Sequence, residues 1–162
     1  MTLSLPLGIS DPPDVSRKFP GRYESLAKIG QFIRSQAQQS GLDEKAVYQV
    51  EMAVDEACSN IIEHAYGDEN KGDISVTCRI SEEGLTIVLS DTGKSFDPNS
   101  ISLPDLSTGL EERESHGLGM FFIREWMDKV EYENKAGVGN ILTLLKRRGG
   151  SRKVSSMTAY RP

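Results

Sequence analysis

The stretch "VDEACSNIIEHAYG", residues 54–67, combines an apolar helical stripe with a row of polar side chains. Glu56, Asn60 and His64 follow one another at steps of four residues, which places them on one face of an α-helix. An amide oxygen is a neutral ligand for a hard cation such as Mg²⁺, and a carboxylate one turn away can accept a proton or orient a nucleophile. The alternative interpretation is a helix flank with a few polar residues that neither bind a metal nor take part in catalysis.

The helix that carries this stretch begins after Asp43, which is a typical N-cap residue, and runs to about Tyr66. Gly67 ends it. Its apolar stripe consists of Val47, Val50, Val54, Ala57, Ile61 and Ala65. A preceding helix is predicted from Tyr23 to Gly41, with Leu26, Ile29, Ile33 and Ala37 as its apolar stripe.

Alternating apolar residues predict two pairs of strands joined by short turns. These are "DISVTCRI" (73–80) with "LTIVLSD" (85–91), and "KVEYEN" (129–134) with "NILTLLKR" (140–147); "VSRKFP" is a candidate edge strand. A helix from Gly117 to about Asp128 separates the pairs. Because the strands follow one another without long crossovers, we expect an α/β two-layer sandwich, with a mixed, mostly antiparallel sheet covered by helices on one face.

The chain has 162 residues, of which 37% are hydrophobic and 27% charged, as in one ordinary globular domain. We expect an irregular leader over 1–14, the folded domain over 15–147 and a disordered basic tail over 148–162. No apolar run approaches the roughly 18 residues of a membrane-spanning helix, and the first residues lack a signal peptide's basic region. A cytoplasmic location without membrane contact is therefore expected, and Cys58 and Cys78 are expected to be buried thiols.

The charge is unevenly distributed along the chain. Residues 146–162 hold six basic residues and no acidic one, whereas the rest carries 13 basic and 24 acidic residues. Such a tail can contact nucleic acid or an acidic partner, but only Tyr160 is available to stack on a base. A solvated tail without direct nucleic-acid contact is the favoured interpretation.

Two further motifs lie downstream. In "LSDTGKSFDP" (89–98), Asp91 ends a strand, where its carboxylate can accept a hydrogen bond from the exocyclic amine of a purine, and Gly93 leaves room for a flat ring. A plain turn carboxylate is the alternative. An aspartic protease also presents Asp-Thr-Gly, but it needs two such triplets in an all-β fold, whereas this chain has one triplet and at least three predicted helices.

In "SHGLGMFF" (115–122), Gly117 and Gly119 precede an apolar helix. The backbone amides at a helix start, here those of Gly117, Leu118, Gly119 and Met120, suit a phosphate group. No GxxxxGK[ST] sequence is present, and no strand precedes the motif as in a Rossmann fingerprint. A tight joint between a loop and a helix would give the same two glycines.

Together the three motifs resemble the ATP-binding fold shared by gyrase, histidine kinases and MutL, the GHKL superfamily. The N box corresponds to Glu56 and Asn60, the G1 box to 91–93 and the G2 box to 117–119, and the resemblance covers about 15–147. Three segments are similar in sequence to the anti-sigma factor serine/threonine kinases of the RsbW type: "VDEACSNIIEHAYG", "DTGKSFDP" and "GLGMFFIREWMDKVEY". Two positions depart from the superfamily pattern: Ser95 replaces a second G1 glycine, and Asn140 stands where many members have Thr.

This resemblance implies an ATP- and Mg²⁺-dependent protein serine/threonine kinase. It implies that Asn60 holds Mg²⁺, Asp91 reads adenine and Glu56 orients the substrate hydroxyl and takes its proton. The other residues expected at the nucleotide are His64, Gly93, His116, Gly117, Leu118, Gly119 and Met120. Arg113 or His116, in the long polar segment 94–116, is a candidate for contacting the γ-phosphate.

The resemblance also implies partners: a sigma factor that the chain sequesters as a homodimer, and a STAS-domain anti-sigma factor antagonist that it phosphorylates. Two alternatives stay open. One is a non-catalytic ATP-binding module that sequesters a protein partner. The other is a detached histidine-kinase catalytic domain, which would need a separate pair of phosphoacceptor helices.

Overall fold

The computed structural model describes residues 10–96 and 115–149, and in the second range it describes side chains from Met120 onward. The strands are β1 Val15–Pro20, β2 Asp73–Ile80, β3 Gly84–Asp91, β4 Lys129–Lys135 and β5 Gly139–Arg147, and the helices are α1 Ser25–Gln39, α2 Glu44–Asn60 and α3 Ser115–Trp126. The expectations for the leader before residue 10, for Arg113 and for the tail after residue 149 lie outside the described residues.

The five strands form one sheet in the order β1-β2-β3-β5-β4, and every neighbouring pair is antiparallel. This confirms the predicted sheet and the edge position of β1. Strands β3 and β5 are neighbours in the sheet, although α3 and β4 lie between them in the chain. The register of that pair places Asn140 of β5 directly opposite Asp91 of β3, and directly opposite residues of an antiparallel pair point to the same face.

The helices pack against one face of the sheet and enclose the core. All six residues of the predicted stripe of α2 and its continuation are buried, as are Ile29, Ile33 and Ala37 of α1, while Leu26 is only partly buried. Alternate residues of β2 and β3 supply the opposing surface, among them Val76, Ile87 and Leu89. Both cysteines are buried and unpaired, and burial raises the pKa of the Cys78 thiol to about 12, so neither suits reactive thiol chemistry.

The ends of α2 follow the predicted signals, with one difference. The Oδ1 atom of Asp43 accepts a hydrogen bond from the backbone N–H of Ala46 at 2.8 Å, as expected for an N-cap. The α-helix ends at Asn60, however, and residues Ile61–Tyr66 form a π-helix that ends at Gly67 in a left-handed conformation. Hydrophobic periodicity cannot distinguish this π-helical segment from one more α-helical turn, so the prediction of a continuous α-helix was wrong over these six residues.

The predicted bounds of one helix also shift. Helix α3 begins at Ser115 and ends at Trp126, two residues earlier at each end than expected, which is the usual uncertainty at helix ends.

Arg148, assigned to the basic tail, donates to the backbone carbonyls of Ser40, Ser81 and Glu82 at 2.5, 2.6 and 3.4 Å. The end of β5 is thereby fastened to the α1–α2 connection. None of the helices in these two described ranges is long and apolar enough to cross a membrane.

Candidate functional site

A cavity lies between α2, α3 and the ends of β3 and β5. It is lined by Ala57, Asn60, Ile61, Asp91, Phe96, Met120, Tyr132, Asn140 and Leu142. Each of the three sequence motifs therefore contributes one residue to the same cavity: Asn60, Asp91 and Met120. Its wall is apolar apart from a few polar groups, which is the usual composition of a small-molecule site.

The carboxylate of Asp91 is held in one orientation at the bottom of this cavity. Its Oδ1 atom accepts hydrogen bonds from the backbone N–H of Gly93 at 2.9 Å and from Nδ2 of Asn140 at 2.8 Å. The residue is 4% exposed, and within residues 10–96 and 115–149 no group donates to its Oδ2 atom. That oxygen is therefore the acceptor that Asp91 offers to a ligand.

Asn140 is itself fixed by its neighbours. Its Oδ1 atom accepts from the Tyr132 hydroxyl at 2.8 Å and from Nδ2 of Asn134 at 2.9 Å, and its Nδ2 atom also donates to the backbone carbonyl of Lys94 at 3.0 Å. Because a carboxylate and a carbonyl can only accept, the NH₂ group must face Asp91 and Lys94. The amide thus makes a direct contact with Asp91 at the position where the superfamily resemblance leads one to expect Thr.

The pKa of Asp91 results from opposing effects. Burial raises it above the ordinary value, while the hydrogen bonds from Asn140 and Gly93 lower it. The ionised form is needed to accept a hydrogen bond through Oδ2, so these two donors keep the carboxylate competent for binding.

We predict that Asn140→Ala shifts the pH dependence of ATP affinity. Removing one donor raises the pKa of Asp91 further. As the pH falls, Asp91 of the variant should therefore become protonated, and lose its affinity for ATP, at a higher pH than in the wild type. Calorimetric titrations of both proteins in the same buffers provide the test, because protonation of the nucleotide then cancels. Superimposable pH profiles would contradict this role of Asn140.

Gly93 is required by a contact within the protein. A Cβ atom at this position would lie 2.6 Å from the carbonyl carbon and oxygen of Ala65, a distance that no real Cβ contact allows. The next backbone N–H, that of Lys94, donates to the same carbonyl at 2.8 Å. The turn after β3 is therefore seated on the end of the π-helix, and this packing accounts for the glycine; a role in leaving room for a ring stays a prediction.

Asn60 brings an unsatisfied polar atom to the cavity. The residue is 3% exposed, and its Nδ2 atom has no hydrogen-bond partner among the described groups. A buried amide without a partner is costly, so the site fits a polar ligand or a hydrated metal ion that satisfies it. Amide nitrogen and oxygen can exchange places by a flip of the side chain, so a metal can be offered the oxygen.

Glu56 and His64 lie one turn before and one turn after Asn60, and both are half-buried. Neither is among the residues that line the cavity. The His64 ring lies 5.6 Å from the ring of Phe96, which in turn lies 5.6 Å from that of Tyr132. Within the described ranges there is no group of three His, Cys, Asp or Glu side chains that could hold a metal by themselves. A metal ion bound at Asn60 would therefore take its other ligand atoms from water or from a bound substrate.

The glycine motif lies within the start of α3. Because the helix begins at Ser115, Gly117 and Leu118 occupy its first turn, whereas Gly119 and Met120 begin the second. Only the N–H groups of the first turn lack helical partners, so phosphate binding by all four amides stays a prediction. The side chain of His116 lies outside the description, while that of Met120 is buried against the cavity.

Sequence reasoning missed Phe96, Tyr132 and Asn134. The hairpin register places Asn134 opposite Asn140 and Tyr132 opposite Leu142. That register follows from the short turn at 136–138, so these partners of Asn140 could have been found by pairing the two predicted strands. Phe96 carried no such signal, because its place at the cavity depends on the path of the chain after β3.

Comparisons with known proteins agree with this geometry. The model of the histidine kinase-like ATPase domain family matches residues 19–146. The serine-protein kinase RsbW of Bacillus velezensis is 30% identical over 134 residues, which is 80% of this chain and 83% of the relative. The proteins of the same name from Bacillus cereus and Bacillus thuringiensis are each 29% identical over 133 residues, covering 80% of this chain and 82% of the relative. The chain therefore belongs to the histidine kinase-like ATPase domain family and, within it, to the serine-protein kinases of the RsbW type.

Proposed function

We propose that this chain is an anti-sigma factor kinase that uses ATP and Mg²⁺ to phosphorylate a serine or threonine of a STAS-domain antagonist, and that sequesters a sigma factor when the antagonist is not available. The observation that carries the proposal is the Asp91 carboxylate, whose Oδ1 is bound by Gly93 and Asn140 while its Oδ2 has no donor among the described residues. It shares a cavity with the Asn60 amide, whose Nδ2 atom has no hydrogen-bond partner in the part of the chain that the structure describes. The membership of the RsbW-type kinases supports the same function.

Asp91 is the proposed reader of adenine. The 6-amino group of adenine donates a hydrogen bond, which the Oδ2 atom can accept, and a hydrogen bond with a charged partner in a buried site contributes roughly 1.5–3 kcal/mol. Guanine presents a carbonyl at the same position and would place two acceptors against each other. The cavity should therefore select ATP over GTP.

Asn60 is the proposed ligand of Mg²⁺. When bound, the metal ion supplies charge neutralisation for the phosphates. The chain contributes a single neutral amide at this point, which is consistent with a metal that keeps most of its coordination sites for water and phosphate oxygens. The backbone N–H groups of Gly117 and Leu118, in the first turn of α3, are the proposed phosphate contacts, with Gly119 and Met120 next to them. His64, His116 and Arg113 are further candidates near the phosphates.

Glu56 is the proposed catalytic residue. It lies one helical turn from Asn60 on the same face, so its carboxylate can orient a serine or threonine hydroxyl against the γ-phosphoryl group. Phosphoryl transfer depends mainly on positioning and charge, so the proton of that hydroxyl is taken late, as its oxygen bonds to phosphorus. The antagonist then leaves as a phosphoprotein, and ADP is the second product.

The proposed assembly is a cytoplasmic homodimer that holds the sigma factor away from RNA polymerase. The basic tail is not proposed to bind nucleic acid. These partner assignments rest on the family resemblance.

Transfer of labelled γ-phosphate tests the proposal. The chain is incubated with ATP, Mg²⁺ and a STAS-domain protein from the same genome, and the label is followed on both proteins. Label on the STAS-domain protein is the expected result. If ATP binds but no label is transferred to any candidate antagonist, the chain is a non-catalytic sequestering module.

A further inference from the structure

The hydroxyl of Tyr66 joins the start of β2 to the turn that follows Asp91. It donates a hydrogen bond to the backbone carbonyl of Asp73, at the start of β2, at 2.5 Å. It also accepts one from the backbone N–H of Thr92 at 3.2 Å. Thr92 directly follows Asp91, so the Tyr66 hydroxyl holds the backbone next to the carboxylate that offers Oδ2 to a ligand.

The ring of Tyr66 packs closely against two glycines. A Cβ atom on Gly72 would fall 2.5 to 2.7 Å from the Cε1, Cζ and hydroxyl oxygen atoms of the tyrosine, so the ring occupies the space that a side chain at residue 72 would fill. A Cβ atom on Gly21 would lie 3.3 Å from the other edge of the ring. Because the ring lies against Gly72 on one edge and Gly21 on the other, the position of its hydroxyl is restricted.

The end of the π-helix thereby holds the turn after β3 at two points. Ala65 accepts from the N–H of Lys94, and Tyr66 accepts from the N–H of Thr92, so both backbone donors that flank Gly93 bind consecutive residues of one segment. That segment directly follows Asn60. A π-helix is rare, occurs frequently at functional sites and changes the direction of the residues that follow.

We propose that Tyr66 is a positioning residue for base recognition, acting through the backbone of Thr92 to place the Oδ2 atom of Asp91. The proposal rests on the proposed role of Asp91 as the adenine reader. Tyr66 is not among the residues that line the cavity, so its effect on the base is exerted through the turn. Loss of the hydroxyl leaves the N–H of Thr92 without its acceptor and releases the turn on one side of Asp91.

The test compares two nucleotides that differ only in the group that Asp91 reads. ATP carries the 6-amino group, and purine riboside triphosphate has hydrogen in its place. The affinities of both are measured by calorimetry with Mg²⁺ for the wild type and Tyr66→Phe, which keeps the ring. Tyr23→Phe is the matched control, because the Tyr23 hydroxyl donates to Glu63 at 3.0 Å and makes no contact with the turn.

The wild type should prefer ATP by about tenfold or more. In Tyr66→Phe this preference should fall at least about threefold, while the affinity for purine riboside triphosphate changes less than about twofold. Tyr23→Phe should keep the wild-type ratio. Thr92→Pro removes the donor at the other end of the same hydrogen bond, suits the extended backbone of Asp91 and should lower the ratio like Tyr66→Phe, which gives a second variant if one fails to fold.

An unchanged ratio in folded Tyr66→Phe overturns the positioning role. The same holds if both nucleotides lose affinity equally, since that pattern means the hydroxyl only supports the fold. A wild type without any preference for ATP overturns the assignment of Asp91 itself, and with it the role of Tyr66, so the two failures are distinguishable.

Discussion

Asp91→Asn lowers the affinity for ATP by about one to two orders of magnitude, which corresponds to the loss of a charge-assisted hydrogen bond of roughly 1.5–3 kcal/mol. The reason lies in the two donors that already face this side chain. The N–H of Gly93 and the NH₂ group of Asn140 both point at Oδ1, so the new amide must keep its oxygen there. Its own NH₂ group then faces the adenine amine, and two donors oppose each other.

Calorimetry with ATP and GTP measures this effect. The wild type should bind ATP more tightly than GTP, and Asp91→Asn should lose most of the difference. Asp14→Asn is a suitable control, because Asp14 forms an exposed ion pair with Arg79 at the edge strand and contributes little to stability or to the cavity. Equal affinities of the wild type for ATP and GTP would show that Asp91 does not read the base.

Glu56→Gln and Asn60→Ala should fail in different ways although the two residues share a helix face. Glu56→Gln keeps the size of the side chain but removes the proton acceptor and a negative charge. We expect it to bind ATP at least as tightly as the wild type and to phosphorylate the antagonist at least about 100-fold more slowly. Asn60→Ala removes the proposed Mg²⁺ ligand, so both metal-dependent ATP binding and phosphoryl transfer should fall.

Binding and transfer are therefore measured on the same preparations, with circular dichroism to confirm the fold of the variants. The sigma factor should still bind Glu56→Gln, because that contact is proposed to lie outside the cavity. Transfer by Glu56→Gln at the wild-type rate would exclude Glu56 as the proton acceptor. A strong loss of ATP affinity in Glu56→Gln would instead indicate that the carboxylate serves binding.

The sequence predicts most of the fold because its signals are local. Asp43 caps α2 through its own side chain, and the apolar stripes and alternating strands identify the buried face of each element. The three motifs also indicate which residues converge, since each occurs at the end of a helix or strand. The resemblance to the ATP-binding fold adds the roles of these residues, which spacing alone leaves open.

The features that the sequence did not reveal depend on contacts between distant residues. The π-helix of residues 61–66 has the same apolar pattern as an α-helical turn, and its residues Ala65 and Tyr66 accept hydrogen bonds from the turn after β3. The hydrogen bond from the N–H of Thr92 to Tyr66 spans 26 positions of the chain. Likewise, the orientation of Asn140 requires Tyr132 and Asn134 on a neighbouring strand.

The cavity around Asp91 and Asn60 is proposed to serve phosphoryl transfer to a protein. The most direct measurement is the intact mass of a STAS-domain antagonist after incubation with this chain, ATP and Mg²⁺, followed by peptide mapping of the modified residue. The expected result is a mass increase of one phosphoryl group on a serine or threonine with the wild type, and none in the same time with Glu56→Gln. An antagonist that stays unmodified in the presence of wild-type chain with bound ATP would contradict it.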